Sequence, residues 1–280
     1  IIGAEDEVVR CEYGLGKYYF NNNDYNSAIS HLTSAIDLSE QISNNLFAET
    51  YKMGYMRNII SIYNLSKEYT SNNNSVVILK DISFKLYQGD IVSIVGPSGS
   101  GKSTFLNILG LLDSSFKGQY DFLDKNIKYT SNDQKNIIRN NSIGFVHQFF
   151  HLIPELNVLE NVTLPNLIQC NKVADSVKKA KSILTNFDLQ DKILSKPHNL
   201  SGGEQQRVAI ARALINKPSI IIADEMTGNL DEKISDSIFN FFLEQVRINN
   251  QSLIYVTHNN HYAKQANMKY QILNQKLKQI

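Results

Sequence analysis

The chain has 280 residues, 42% of them hydrophobic, and a formal net charge of +1. That length accommodates one sizeable α/β domain plus something small, and the near-neutral balance gives no electrostatic footprint for nucleic acid. No apolar run approaches the ~18 residues that cross a bilayer and no charged-then-apolar leader opens the chain, so a cytoplasmic location is expected, with any membrane association made only through partners.

The chain begins with Ile1 rather than Met, which predicts a processed, truncated or fragmentary N-terminus. Its two cysteines, Cys11 and Cys170, lie far apart without metal-ligand spacing and read as free thiols in a reducing compartment. Residues 9–20 and 25–40 read as two helices separated by Asn21-Asn22-Asn23-Asp24. The second carries Ala28, Leu32, Ala35 and Leu38 at three- and four-residue spacing, an apolar stripe. Leu15, Gly16, Tyr19, Tyr25, Ala28, Leu32 and Ala35 fall where a helical hairpin packs, so residues 1–52 resemble a single tetratricopeptide repeat, with Glu12 at the usual Trp position. One repeat cannot bury its own hydrophobic face. A remnant of a longer array, a docking appendage and a fused sequence all stay open. The pattern changes at Arg57, and Met53 and Met56 just before it are candidate natural starts for the second region.

From there β-rich runs alternate with helical ones. Strands are expected at Ile59–Tyr63, Val76–Leu86, Ile91–Val95, Ser142–His147, Ser219–Ala223 and Ser252–Thr257. Helices are expected from Lys102 to Leu112 and near 157–169, 172–187, 203–216 and 232–249. The alternation predicts a mainly parallel sheet with crossover helices, and the early strands, which have no helix between them, a small antiparallel layer. The expected division is a helical segment over 1–52 and one α/β domain over 57–280, with a helical subdomain at about 149–215.

Gly96-Pro97-Ser98-Gly99-Ser100-Gly101-Lys102-Ser103-Thr104 contains the phosphate-loop pattern, between an apolar strand and a helix. Its glycines let backbone N–H groups turn inward around phosphate oxygens, and the helix N-terminus adds its dipole. Lys102 is placed to reach the β- and γ-phosphates and Ser103 to ligate Mg²⁺. Ile220-Ile221-Ile222-Ala223-Asp224-Glu225 is a buried strand ending in two carboxylates. Asp224 is expected to hold Mg²⁺ and Glu225 to polarise an attacking water. Leu200-Ser201-Gly202-Gly203-Glu204-Gln205-Gln206-Arg207 puts two glycines at another helix start, a second anion-receptive N-terminus. One chain does not need two such sites for one nucleotide, so this one is expected to cap a nucleotide held by a second copy.

That octet, lying between a phosphate loop and an Asp-Glu strand, resembles the signature motif of ABC transporter ATP-binding subunits. The resemblance covers about 220 residues and implies a RecA-like, mainly parallel P-loop core with an antiparallel β layer and a helical subdomain. It also implies ATP and Mg²⁺ as cofactors and ATP hydrolysis in a head-to-tail dimer with a second copy. Tyr69 resembles the aromatic that stacks on adenine; Gln148 the glutamine that senses Mg²⁺ and the partner; Gly228-Asn229-Leu230-Asp231 the D-loop; and His258 the switch histidine at the γ-phosphate. The implied site is thus Glu225, His258, Gln148 and Lys102 for chemistry, Ser103, Gln148 and Asp224 for metal, and Tyr69, the phosphate loop and Ser201, Gly202, Gly203 and Glu204 for nucleotide. Met226 departs from the family's usual Pro, so a less rigid loop is expected there.

His147-Gln148-Phe149-Phe150-His151-Leu152-Ile153-Pro154-Glu155-Leu156, continuing to Pro165, resembles the lipoprotein-releasing and macrolide-exporter branch, and Gly110-Leu111-Leu112-Asp113 points the same way. In that branch the subunit drives an integral membrane permease from the cytoplasmic face of the inner membrane, and Phe149, Phe150, Leu152, Ile153 and Leu156 suit either the groove that receives the permease or the core of the helical subdomain. Lipoprotein release is the first reading. An antimicrobial or macrolide exporter is the alternative, and a non-transport ABC ATPase a lesser one. A small-molecule kinase would share the phosphate loop but need neither the signature octet nor His258, and an interaction protein would rest on residues 1–52 alone.

Overall fold

The structure is a computed structural model that describes residues 12–13, 15–17, 19–22, 24–41, 57–71, 74–169 and 171–280. Cys11, Cys170, Met53 and Met56 lie outside the described residues. The chain forms two compact units, 1–57 and 58–280.

In the first unit, residues 12–13, 15–17 and 19–21 are helical and are followed by α1 (Tyr25–Gln41). Asp24 starts α1 by accepting hydrogen bonds from the Ser27 amide and hydroxyl, an N-terminal cap. Ala28 and Ala35, two helical turns apart, are fully buried. A Cβ on Gly16 would sit 2.6 Å from Leu32 Cγ, so the glycine permits the close approach that the hairpin reading expected. Tyr19 stacks on His31 at 5.3 Å, and His31 Nδ1 lies 2.7 Å from Glu12 Oε2. Leu15, expected in the hairpin contact, is 42% exposed. It sits about 100° around the helix from Gly16, so when Gly16 faces Leu32, Leu15 points aside.

The second unit opens with two long strands, β1 (Asn58–Ser71) and β2 (Asn74–Tyr87), paired antiparallel. Their sheet is completed by β4 (Lys117–Phe122) and β5 (Lys125–Asn126) in the order β2-β1-β4-β5. Alternation sends Ile60, Ile62, Phe84, Leu86, Tyr120 and Phe122 inward, where all are buried. The central sheet contains β3 (Ile91–Val95), β6 (Ile143–Val146), β7 (Ile220–Asp224), β8 (Ser252–Val256), β9 (Met268–Leu273) and β10 (Lys276–Gln279). Its order is β10-β9-β3-β8-β7-β6, parallel except for β10. β3, β7 and β8 are near-continuous apolar runs because both faces of the sheet are covered.

One face packs against the antiparallel sheet and α2 (Lys102–Leu109), burying Phe105, Ile108 and Leu109 with Ile60, Phe84 and Phe122. The other packs against α6 (Gly202–Leu214) and α7 (Glu232–Ile248), burying Val208, Ala211, Phe239, Phe242 and Tyr255. α4 (Val158–Ile168) and α5 (Val173–Asn186) join α6 in a helical layer after β6. Capping boxes start two of these helices: Asn157 with Glu160, and Ser201 with Glu204.

The strands expected from apolar runs and the four long helices stand within a few residues of their expected bounds, except that β1 runs eight residues beyond Tyr63, through the polar stretch Asn64–Ser71. β4, β5, β9, β10 and α3 (Asn132–Ser142) were not expected. Lys117-Gly118-Gln119 and Lys276–Gln279 are polar and mostly exposed, so neither run shows the apolar signature of a strand. The early antiparallel layer is found as expected.

Candidate active site

Sheet order alone brings most of the expected residues together. β3, β8 and β7 are parallel neighbours, with Ile94 beside Val256 and Val256 beside Asp224. The segments leaving their carboxyl ends therefore emerge on one edge: the phosphate loop after β3, Thr257-His258 after β8, and Glu225-Met226 after β7. Gln148 follows β6, the next strand along. A crevice outside the carboxyl ends of parallel strands is where α/β sheets bind ligands.

The phosphate loop leaves β3 with Gly96, Gly99 and Gly101 at φ values of 156°, 73° and 100°. Gly101, the N-cap of α2, is held in the left-handed region, and a Cβ there would meet Ile78 Cγ2 at 2.9 Å. Lys102, only 6% exposed, donates from Nζ to the carbonyls of Gly96 and Pro97, each at 2.9 Å. Its charge is thus folded back over the loop. Ser100 Oγ is buried without a hydrogen-bond partner, the orphan that a phosphate oxygen would satisfy. Pro97, Ser98 and Gly99 are exposed along the mouth of the loop, with Thr104 half-buried one turn into α2.

Ser103 Oγ donates to Asp224 Oδ2 at 3.0 Å, although the two residues are far apart in sequence. These are two hard oxygen ligands side by side, as Mg²⁺ requires. Among the described residues no cluster of three or more His, Cys, Asp or Glu could hold a metal unaided. The pair fits a divalent ion that would take its remaining ligands from water and phosphate oxygens.

Glu225 stands in the left-handed region at φ 45°, its amide tied to Val256 O at 3.2 Å and its carbonyl accepting from Gly228 N at 2.9 Å. Its Oε1 lies 2.7 Å from Nε2 of His258, whose side chain is half exposed. Met226 is 4% exposed within the core. The greater freedom expected from losing proline is opposed here by side-chain burial. Gln148 and Asn229 form a reciprocal link: Asn229 Nδ2 donates to Gln148 O at 2.9 Å and Gln148 Nε2 reaches Asn229 Oδ1 at 3.5 Å.

Ser201, Gly203 and Glu204 line a different cavity, of about 420 Å³, with Arg207, Lys233 and Ile234 among its walls. The Ser201 amide, which donates to Glu204 Oε2 at 2.7 Å, leads the interactions that hold the Glu204 carboxyl below its ordinary range. A Cβ on Gly202 would meet Leu230 at 3.0 Å, and one on Gly203 Ile234 at 3.0 Å, so the glycines admit the segment before α7 and its first turn. The signature segment thus abuts the D-loop.

Tyr69, on β1, is 48% exposed and its hydroxyl donates to Asp113 at 3.4 Å. Of the apolar residues after Gln148, Phe149 is 65% exposed and Ile153 36%, whereas Leu152 packs on the core. Beside them a cavity of about 460 Å³ is walled by Leu112, Arg139, His147, His151, Arg212 and Asn216, among others.

Several supporting side chains carry no sequence signal that singles them out. Asn161, 1% exposed, accepts from Ile153 N and donates to the carbonyls of Ile153, Leu156 and Asn157, fixing the loop before α4. Arg212 donates to the carbonyls of His151 and Phe150 at 2.6 and 2.8 Å. Their partners become neighbours only on folding.

Residues 79–228 match the family model described as ABC transporter. The lipoprotein-releasing system ATP-binding protein LolD of Rickettsia bellii is 42% identical over 214 residues, 76% of this chain and 95% of that protein. The corresponding protein of Buchnera aphidicola is 44% identical over 219 residues, 78% of this chain and 96% of its own length. Among solved structures, the ATP-binding cassette MJ0796 in a dimeric post-hydrolysis state bound to ADP and Pi superposes with a TM-score of 0.73. It is 35% identical, and the match covers 79% of this chain and 98% of that one. A second dimeric structure of MJ0796, described as a bacterial ABC transporter cassette, gives a TM-score of 0.72 at 36% identity.

Proposed function

The chain belongs to the ABC transporter family of ATP-binding subunits, and on that premise we propose that it is the ATPase of a lipoprotein-releasing transporter, driving a membrane permease through an ATP-bound dimer. The Rickettsia and Buchnera relatives are both named for lipoprotein release, which favours that cargo over an exported antimicrobial. Within the chain, the observation that carries the catalytic reading is the convergence of Lys102, Ser103, Asp224, Glu225 and His258 at the carboxyl ends of β3, β7 and β8.

Incoming ATP gives Lys102 Nζ a better acceptor than the two loop carbonyls it now holds, since charge-assisted bonds to phosphate are the stronger kind. Ser100 Oγ and the loop amides take up phosphate oxygens. Ser103 and Asp224, with Gln148 as a further ligand, would hold Mg²⁺, which would neutralise charge on the phosphates. The adenine ring stacks on the exposed face of Tyr69. Ser201, Gly202, Gly203 and Glu204 face the nucleotide of a second copy, placing an α6 N-terminus against its γ-phosphate. Glu225 polarises the attacking water while His258 fixes that carboxylate and meets the γ-phosphate. The work is positioning and electrostatic stabilisation.

Closure and reopening of this dimer reach the permease through the Gln148–Asn229 link and the exposed Phe149–Ile153 surface. No helix among the described residues is long and apolar enough to cross a membrane. The subunit then sits peripherally on the cytoplasmic face of the inner membrane, held by its permease. Residues 57–280 form the ATPase domain, with its helical subdomain at about 149–215, and the segment 1–52, of which residues 12–41 are mostly described, carries a repeat-like hairpin.

Tagged Glu225→Gln protein with MgATP, used to capture partners from detergent-solubilised membranes, tests this reading. Recovery of a permease with bound lipoprotein is expected. A permease without lipoprotein favours the exporter, and no membrane protein at all, from ATP-competent protein, rejects transport. Removal of residues 1–52 is expected to leave ATPase activity and permease capture intact; loss of either assigns the hairpin a working role.

A further inference from the structure

Lys67 is 3% exposed, an uncommon place for an ammonium group. Such a charge is tolerated only when its donors are met, and here they are. Nζ lies 2.9 and 2.7 Å from the two carboxylate oxygens of Asp113 and donates to Ser115 O at 2.6 Å. The same ammonium lies 4.6 Å from the ring centroid of Tyr69, two residues along β1 and so on the same side of the strand. Tyr69 in turn donates to Asp113 Oδ2. Burial raises the Asp113 pKa, but the hydrogen bond from Lys67, then that from the Ser115 amide, the Lys67 charge and the Tyr69 hydroxyl outweigh it and hold the carboxyl below its ordinary range.

Asp113 is also fixed from the other side. Its amide donates to Asn107 O at 3.1 Å, within the turn that closes α2, the helix that begins at Lys102. Asp113 therefore ties the aromatic ring, through its carboxylate, to the far end of the phosphate-loop helix, through its amide.

We infer that Lys67 and Asp113 are positioning residues for the nucleotide base. Lys67 supports one face of Tyr69, the other face is left as the stacking surface, and Asp113 fixes the distance from that surface to the phosphate loop. The Asp113 oxygens already accept from Lys67, Ser115 and Tyr69, so they serve the ring and not the edge of the base. The inference rests on Tyr69 being the base platform.

The test measures binding of a non-hydrolysable ATP analogue and of inorganic tripolyphosphate to the full chain by titration calorimetry. A Lys67→Met/Asp113→Asn variant removes both charges together and leaves neither buried alone. It is expected to weaken the analogue about tenfold, within the range that base–aromatic stacking supplies, while tripolyphosphate binds as in wild type. In a Tyr69→Ala background the same pair should cause no further loss. Asp113→Asn alone, which keeps the Lys67–Ser115 bond, should show the same selectivity at smaller amplitude and serves if the double variant does not fold. Equal losses for both ligands, or no loss for either, overturn the inference. Undiminished analogue binding by Tyr69→Ala itself instead removes the platform reading on which it rests.

Discussion

His258 Nε2 lies 2.7 Å from Glu225 Oε1, joining the segment after β8 to the segment after β7. The two strands are parallel neighbours in register, so the contact follows from the sheet rather than from a long flexible reach. Glu225 is pinned by backbone hydrogen bonds on both of its peptide groups. A carboxylate held in this way, with its orientation fixed by a histidine, has the geometry of a general base supported by a second group.

Glu225→Gln should keep ATP binding and lower turnover by roughly 10²–10⁴-fold, the usual worth of a positioned base. His258→Ala should lower it less, because the carboxylate remains. Steady-state turnover beside equilibrium ATP binding checks both, and wild-type turnover by Glu225→Gln removes Glu225 from its role.

Lys102→Ala deletes the ammonium that now bonds Gly96 O and Pro97 O. Hydrogen bonds to charged groups contribute about 1.5–3 kcal/mol, so ATP affinity should fall roughly 10- to 150-fold. Unchanged affinity in a binding titration would count against the phosphate-loop assignment.

His147 stacks on Phe145 at 5.6 Å and lines the cavity beside Gln148. Burial, then the neighbouring His151, with Arg212 as a smaller cause, lowers its pKa from 6.5 against an opposing pull from Asp224. Below about pH 6.5 the unfolded chain takes up a proton that the folded chain refuses. Stability should therefore be level above that pH and fall as pH drops from there to the depressed folded value. His147→Gln should remove this step from melting temperatures recorded against pH; an unchanged profile would refute its source.

Asn161→Ala leaves Ile153 N and Leu156 O without a partner, whereas the Ile153 and Asn157 carbonyls keep the amides of Leu156 and Asn161. Each buried polar group so orphaned costs about 1–3 kcal/mol, less where water can enter. Denaturant unfolding should show a loss of at least that order, with faster amide exchange at residues 153–157. Wild-type stability and exchange would show that Asn161 does not hold the loop.

Much of the site was legible because it is local. The phosphate loop, the Asp224-Glu225 pair and the Ser201–Glu204 capping box are short segments whose chemistry is set by adjacent residues. Ile91–Val95, Ile220–Asp224 and Ser252–Val256 were legible as strands because a sheet covered on both faces demands unbroken apolar runs. Met268–Leu273 sits beside β3, yet Lys269 and Gln271 interrupt its apolar run. What stayed hidden is long-range. Lys67 and Asp113 are 46 residues apart, and no periodicity marks them as partners. Nor did the sequence indicate that Met226 would be buried and anchor its loop.

In the proposed dimer each nucleotide is held between the phosphate loop of one copy and the signature segment of another. Sedimentation of Glu225→Gln protein, with and without ATP, tests it most directly. Monomer is expected without nucleotide and dimer with it, the dimer being lost when Ser201→Arg is added although each copy still binds ATP. A protein that binds ATP and stays monomeric at saturation, or a dimer indifferent to Ser201→Arg, would contradict it.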